Sequence, residues 1–181
     1  MDIALNGFLS IVLAIACVTD VREQRIPNWL TYPAMVVALA AHGILGGSGG
    51  FLFSLSGLGV GFGLMLLPFL MGVMGAGDVK LLAAAGAVMG TWWIVEAFIL
   101  TSLFGGVYAL AVICCRRTAF RARLLALKDS LLLTAATGSL TWTAPTDDTR
   151  LPRLCYGLAI AAGCWARMAM AVWTPDLLHL G

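Results

Sequence analysis

Charge is what this sequence has least of. Only 11% of its 181 residues are charged, 61% are hydrophobic, and the mean hydropathy is +0.96. A soluble domain carries roughly 25% charged residues, so 11 basic and 9 acidic side chains cannot cover a water-facing surface. The net charge of +2 says little about partners. No basic stripe for nucleic acid is present, so the lipid bilayer is expected as surroundings and nucleic acid is not. Histidine is also scarce. His42 and His179 form no Ser/His pairing and no His/Cys cluster with metal-ligand spacing, so no metal and no cofactor is expected. The five cysteines (Cys17, Cys114, Cys115, Cys155, Cys164) lie in or beside apolar segments without a CxxC pair, and read as small buried hydrophobes. The chain opens on acidic Met1-Asp2, and no small-residue cleavage site follows the apolar run from Ile3 to Val18. That run reads as a first membrane helix, not a cleavable signal.

Long apolar runs are what the sequence does have. A spanning helix needs about 20 mostly apolar residues. The expected fold is all-α: one polytopic transmembrane helix bundle of about six helices, at 3–19, 30–45, 51–74, 78–91, 92–115 and 154–173. The connections are 20–28, the GGSGG turn at 46–50, the GAGD turn and a long polar stretch at 116–153. Within that stretch, 130–143 is apolar but too short to span, and is expected at the interface or against the bundle. Ten of the eleven basic residues fall on alternate connections: Arg22, Arg25, Lys80, Arg116, Arg117, Arg121, Arg123, Lys128, Arg150 and Arg153. By the positive-inside rule that side is cytoplasmic, and both termini face out. In the third segment Gly57/Gly61 and Gly59/Gly63 have the small-xxx-small spacing that lets helix backbones approach, and both pairs are expected in packing. Gly72, Gly75 and Gly77 follow a membrane helix rather than a strand, at the wrong spacing for a dinucleotide loop.

Acids at membrane depth mark function by default. Of the nine, Asp20, Asp78 and Glu96 lie at or within apolar helices. Asp20 ends the first helix and Asp78 opens the fourth, so a topology drawn from Lys and Arg alone brings both to the cytoplasmic face. Glu96, beside Trp92 and Trp93, reads as an interfacial residue near the opposite face. The fourth helix is only ~20 Å long at 1.5 Å per residue, so its first turn, with Asp78, is expected below the membrane surface. Two carboxylates brought close cannot both ionise easily. One then keeps a proton while the other activates water, which suits peptide hydrolysis. Composition and topology alone leave two other readings open. One is a small transporter or channel subunit with the acids on a proton or ion path; the other is a structural subunit of a secretion system.

Two local motifs separate these readings. Asp20-Val-Arg-Glu-Gln-Arg-Ile-Pro27-Asn28 resembles the first catalytic motif of prepilin peptidases, and Gly75-Ala-Gly77-Asp78-Val-Lys80-Leu-Leu resembles their second, the GxGD motif. GxGD alone is shared with presenilin-like and archaeal preflagellin peptidases. The small size looks most like the short peptidases of tight-adherence (Flp) pilus systems, within the type IV leader peptidase family. The resemblance implies Asp20 and Asp78 as a catalytic aspartate pair, with Pro27, Asn28, Gly75, Gly77 and Lys80 as motif and turn support. Pro27 and Asn28 are expected to shape the turn and cap the second helix. The implied substrate is a prepilin or pseudopilin, cut on the cytoplasmic side just before its hydrophobic helix. Arg22, Arg25 and Lys80 have two readings, a contact to an acidic residue of that substrate or positive-inside topology alone. Long relatives add a soluble region with two CxxC pairs that methylates the new N-terminus, and without it methyl transfer is not expected. Near the last helix the family shows Pro-Tyr-Gly together, whereas here three residues separate Pro152 from Tyr156-Gly157.

Overall fold

The computed structural model describes residues 3–71, 74–115 and 155–173, and every described element is helical. The stretch 116–153, with the short apolar segment 130–143, lies outside the described residues. Two compact units are distinguished, Met1–Gly106 with Cys155–Gly181, and Val107–Leu154. Of the second, 107–115 are described, as helix. The elements are α1 (Ile3–Glu23), α2 (Asn28–Leu70), α3 (Ala76–Met89), α4 (Thr91–Cys115) and α5 (Tyr156–Trp173). Among the described residues three helices are long and apolar enough to cross a membrane: Ile3–Glu23, Asn28–Leu70 and Thr91–Ala111.

The class is the one expected, all-α with apolar helices, and the boundaries differ in instructive ways. Helix α1 runs beyond Asp20 to Glu23. Its buried residues, Leu5, Leu9, Val12, Leu13, Ala16 and Asp20, recur at helical spacing, so the acid continues the inward stripe. The opposite face, with Ile11, Ile15, Val18 and Val21, is apolar and exposed, as suits contact with lipid. The GGSGG segment is helical except at Gly47, whose φ of 59° and ψ of −144° break α2 into two arms. Only glycine takes that conformation without strain. Along the first arm, Asn28 meets Lys80 and His42 meets Val88, so the arm runs parallel to α3. Along the second, Ser54 meets Ala87, Gly57 meets Gly86 and Gly61 meets Leu82, so that arm is antiparallel to α3. The two arms are therefore a helical hairpin folded around α3.

Helix α3 is the centre of this unit. Val79 and every residue from Leu81 to Met89 are buried. A 14-residue helix is about 21 Å long, against a hydrocarbon core of about 30 Å. Its ends therefore fall short of the membrane surfaces, where backbone groups left without partners are costly. Side chains satisfy them. The Ser54 hydroxyl donates to Ala87 O at 2.7 Å, His42 Nε2 donates to Val88 O at 3.1 Å, and Gly90 N–H donates to Gly86 O. His42, which had no evident role in the sequence, caps the end of α3.

The third-segment glycines divide. Gly57 lies against the Gly86 carbonyl, and a Cβ there would stand 2.8 Å from Gly90 Cα. A Cβ at Gly61 would stand 2.5 Å from Leu82 O. Gly59 and Gly63 face the other way, exposed, with nothing within 4 Å of a built Cβ. Of the two expected packing pairs, only Gly57/Gly61 packs within the described residues, because alternate positions on a helix point to opposite sides. Glu96, expected as an interfacial residue, has a side chain that is 43% exposed and a partner the sequence did not indicate. It forms an ion pair with Arg167 of α5, the one basic residue off the connections, and Arg167 is only 2% exposed.

The glycine asymmetry makes a signed prediction. Gly57→Ala and Gly86→Ala force a methyl onto helix backbone and should destabilise the detergent-solubilised protein by about 1–3 kcal/mol. Gly59→Ala should be neutral or stabilising, by up to about 1 kcal/mol from helix propensity. Thermal melts of the three variants decide it, and equal effects at positions 57 and 59 would refute the packing.

Candidate active site

At the end of α1 the chain must reverse within a few residues to begin α2. Gln24 does this in the left-handed region, with φ 52°, and its N–H donates to Asp20 O at 2.9 Å. The turn delivers Ile26, which is buried, onto Gly77. A Cβ at Gly77 would stand 3.0 Å from Ile26 Cβ and 3.3 Å from Ile26 N. A glycine at 77 is therefore what lets the 24–27 turn lie on the first turn of α3. In this way the two sequence motifs come together.

Asp78 is the third residue of α3 and reaches back over its start. Gly75 N–H donates to Asp78 Oδ2 at 3.1 Å, while Asp78 N–H donates to Gly75 O at 3.1 Å. This reciprocal cap secures the helix end and fixes the carboxylate. Asp20 is held from a third segment. Gly157 N–H, in the first turn of α5, donates to Asp20 Oδ2 at 2.9 Å. A Cβ on Gly157 would stand 2.8 Å from that same oxygen, so only glycine allows the approach. Asp20 is 7% exposed and Asp78 9%. They stand close enough for their charges to act on each other, and both act on the Cys155 thiol. Among the described residues neither Oδ1 has a hydrogen-bond donor.

The supporting residues sort less simply. Pro27 precedes α2 with extended backbone (φ −73°, ψ 143°), but no side chain caps that helix. Asn28, expected as a cap, is instead the first helical residue, and its Oδ1 accepts from Lys80 Nζ at 2.8 Å. The Lys80 ammonium also lies 4.9 Å over the Tyr32 ring. Both contacts tie the start of α2 to α3, alongside the acid pair. Arg22 and Arg25 are exposed.

Three residues at the site were given no part in it by the sequence: Gly157, and Cys155 and Cys17, which read as small buried hydrophobes. The Cys155 thiol donates to Asp20 O at 3.6 Å and Cys17 Sγ to Gly157 O at 3.8 Å. Both thiols are half-buried beside the acids, unlike the buried Cys164, which fits the small-hydrophobe reading. The one signal available was the Tyr156-Gly157 pair opening an apolar helix. Among the described residues no group of three or more His, Cys, Asp or Glu is arranged to hold a metal ion.

Comparison with known proteins bears on the half of the chain that holds both acids. The chain is 30% identical over 124 residues to the prepilin leader peptidase/N-methyltransferase of Bacillus subtilis (strain 168). The match covers 63% of this chain and 46% of the relative, so the chain spans about half the length of the curated protein it matches. No solved structure matches. The profile of the type IV leader peptidase family matches residues 7–110, from the start of α1 through α4. That span is more than half of the chain and contains both motifs, and the protein belongs to the type IV leader peptidase family.

Proposed function

We propose that the protein is an intramembrane aspartic endopeptidase that removes the leader from a prepilin or pseudopilin at the cytoplasmic face of the bacterial inner membrane. The observation that carries this reading is the pairing of Asp20 with Asp78. Two acids from separate helices lie near each other in an apolar protein, each held by a backbone N–H on Oδ2. Acids at such depth are expensive to keep, and a family of leader peptidases supplies the reaction that would use them.

The chemistry follows from the pair. One carboxylate, ionised, takes a proton from water as the water oxygen attacks the scissile carbonyl carbon. The other, protonated, hydrogen-bonds the oxygen on which negative charge develops. Collapse of the tetrahedral intermediate breaks the C–N bond, and a proton passes to the leaving amine. Among the described residues no donor meets either Oδ1, so these atoms are the ones offered for these tasks, while the backbone amides occupy Oδ2. The substrate is a short charged leader followed by a long apolar helix, whose junction reaches the acids at the membrane edge. The basic residues of the connections support a cytoplasmic position for this end of the helices.

Asp20→Asn and Asp78→Asn should each lower prepilin cleavage by about 10²–10⁴-fold in reconstituted vesicles, since each removes a proton-transfer group. The double variant should be no worse than either single one, because the two act as a unit. Asp147→Asn and Asp148→Asn serve as controls with wild-type cleavage. A dyad variant that cleaves at near wild-type rate would remove that aspartate from the mechanism. A wild type that cleaves no prepilin would favour a transporter or channel subunit.

Two more outcomes are expected. Cysteine-accessibility labelling should find residues 116–153 cytoplasmic and 46–50 outside; the reverse pattern would put the acids on the wrong side for a leader. Mass spectrometry of the cleaved pilin should find an unmodified α-amine even with S-adenosylmethionine added, since two carboxylates activate water but do not bind a methyl donor. An added methyl would extend this chain to both activities in the relative's name.

A further inference from the structure

Arg167 has no part in the hydrolysis outlined above, yet it is the most costly side chain in the unit. It lies ten residues beyond Gly157 on α5, about 15 Å along the helix, which is half the depth of the hydrocarbon core. It is 2% exposed. An arginine at that depth is retained only with partners. Among the described residues Arg167 has two, both on α4: the Glu96 carboxylate, on a side chain 43% exposed, in an ion pair, and the Trp93 ring, 3.9 Å from the guanidinium carbon.

These contacts are one of three along the α4–α5 interface. A Cβ on Gly105 would stand 2.8 Å from the Tyr156 hydroxyl. A Cβ on Gly163 would stand 2.6 Å from Thr101 N and 2.8 Å from Ala97 O. The helices are thus antiparallel and in close backbone contact. Small, smooth surfaces of this kind bind well in several registers, whereas an ion pair is satisfied in one. The register matters at the other end of α5. There the Gly157 amide must meet Asp20 Oδ2 at 2.9 Å with no room for a Cβ. A slide of one residue, about 1.5 Å, would break that hydrogen bond or drive Tyr156 toward the carboxylate.

We propose that Glu96 and Arg167 are a positioning pair. Their ion pair sets the register of α5 against α4, and so aims the Gly157 amide at Asp20 from about 15 Å away. The proposal rests on the reading of Asp20 as catalytic, and one of its tests is independent of activity.

The test compares wild type, the apolar double variant Glu96→Leu/Arg167→Met, and the exchanged pair Glu96→Arg/Arg167→Glu. All are full-length chains in lipid vesicles. Replacing both members of the half-buried pair by apolar groups leaves no charge buried without its partner, so the apolar variant should insert and melt like wild type. Its kcat for prepilin cleavage should fall about tenfold to a hundredfold, as for a reacting group misplaced by about 1 Å. KM should stay unchanged, and the exchanged pair should recover most of the rate. In parallel, hydrogen exchange of the 155–160 amides is measured without substrate. Protection there should drop in the apolar variant and return in the exchanged pair. Unchanged protection and unchanged kcat in the apolar variant would overturn the proposal, as would loss that the exchange fails to restore in a folded protein. Should the wild type cleave no prepilin, the assigned activity fails while the exchange measurement still decides the positioning role.

Discussion

The arrangement depends on one constraint, the burial of α3 on every side. A helix surrounded by other helices can be approached closely only if its own surface is shallow. The run Ala83-Ala84-Ala85-Gly86-Ala87 provides that surface. Gly57 and Gly61 provide the matching one on the second arm of α2. Lipid tails are as apolar as leucine, so helix association in a membrane draws on packing rather than on the hydrophobic effect. Glycine against glycine maximises that packing. The same central position bears on where Asp78 can be, because the first turn of α3 is continuous with the enclosed part that begins at Leu81 and carries Ile26 on Gly77.

The two acids are brought together by three chain segments with separate tasks. The 24–27 turn rests on Gly77 and so fixes the end of α1 relative to α3. The Gly75 amide aims Asp78, and the Gly157 amide aims Asp20. Backbone donors suit this task better than side chains. They bring no rotamer freedom, and a carboxylate held by one lacks the entropy it would otherwise spend on finding a pose. At both acids the donor belongs to a glycine at or near a helix start, where amides have no helical acceptor of their own.

Much of this was legible in the sequence, and the limits have physical causes. Asp20 and Asp78 stand out because an acid in an apolar run is conspicuous, and the alternation of basic connections brings them to one side of the bilayer. That Asp20 points inward with Leu9, Leu13 and Ala16 was not legible, because α1 is apolar on its exposed face as well. Gly57/Gly61 could not be told from Gly59/Gly63, since both pairs have the same spacing and only the position of α3 distinguishes them. The neighbouring tryptophans suggested an interface for Glu96, but its pairing with Arg167 could not be seen because that partner is distant in sequence. Asn28 looks like a helix cap by residue type, but the ammonium of Lys80 takes its carbonyl oxygen. The Gly157 contact was out of reach for the same reason as Arg167, being a tertiary pairing with no local signature.

The few polar groups of the described residues follow a single logic. Ser54 and His42 stand where the last carbonyls of α3 need donors, and Asp78 stands where its first amides need an acceptor. Such a helix would require these partners even without any chemistry, because it is too short to bring its ends to water. Asp78 therefore has a structural task whatever its chemistry: one oxygen closes the helix, and among the described residues the other has no donor. Asp20 has no comparable structural task. It does not cap α1, and its single amide partner comes from another helix. A carboxylate buried in an apolar protein without a local structural duty favours the reading of Asp20 as functional. The asymmetry makes Asp20 the stronger indicator of enzymatic chemistry, even though the GxGD motif around Asp78 is the more recognisable in sequence.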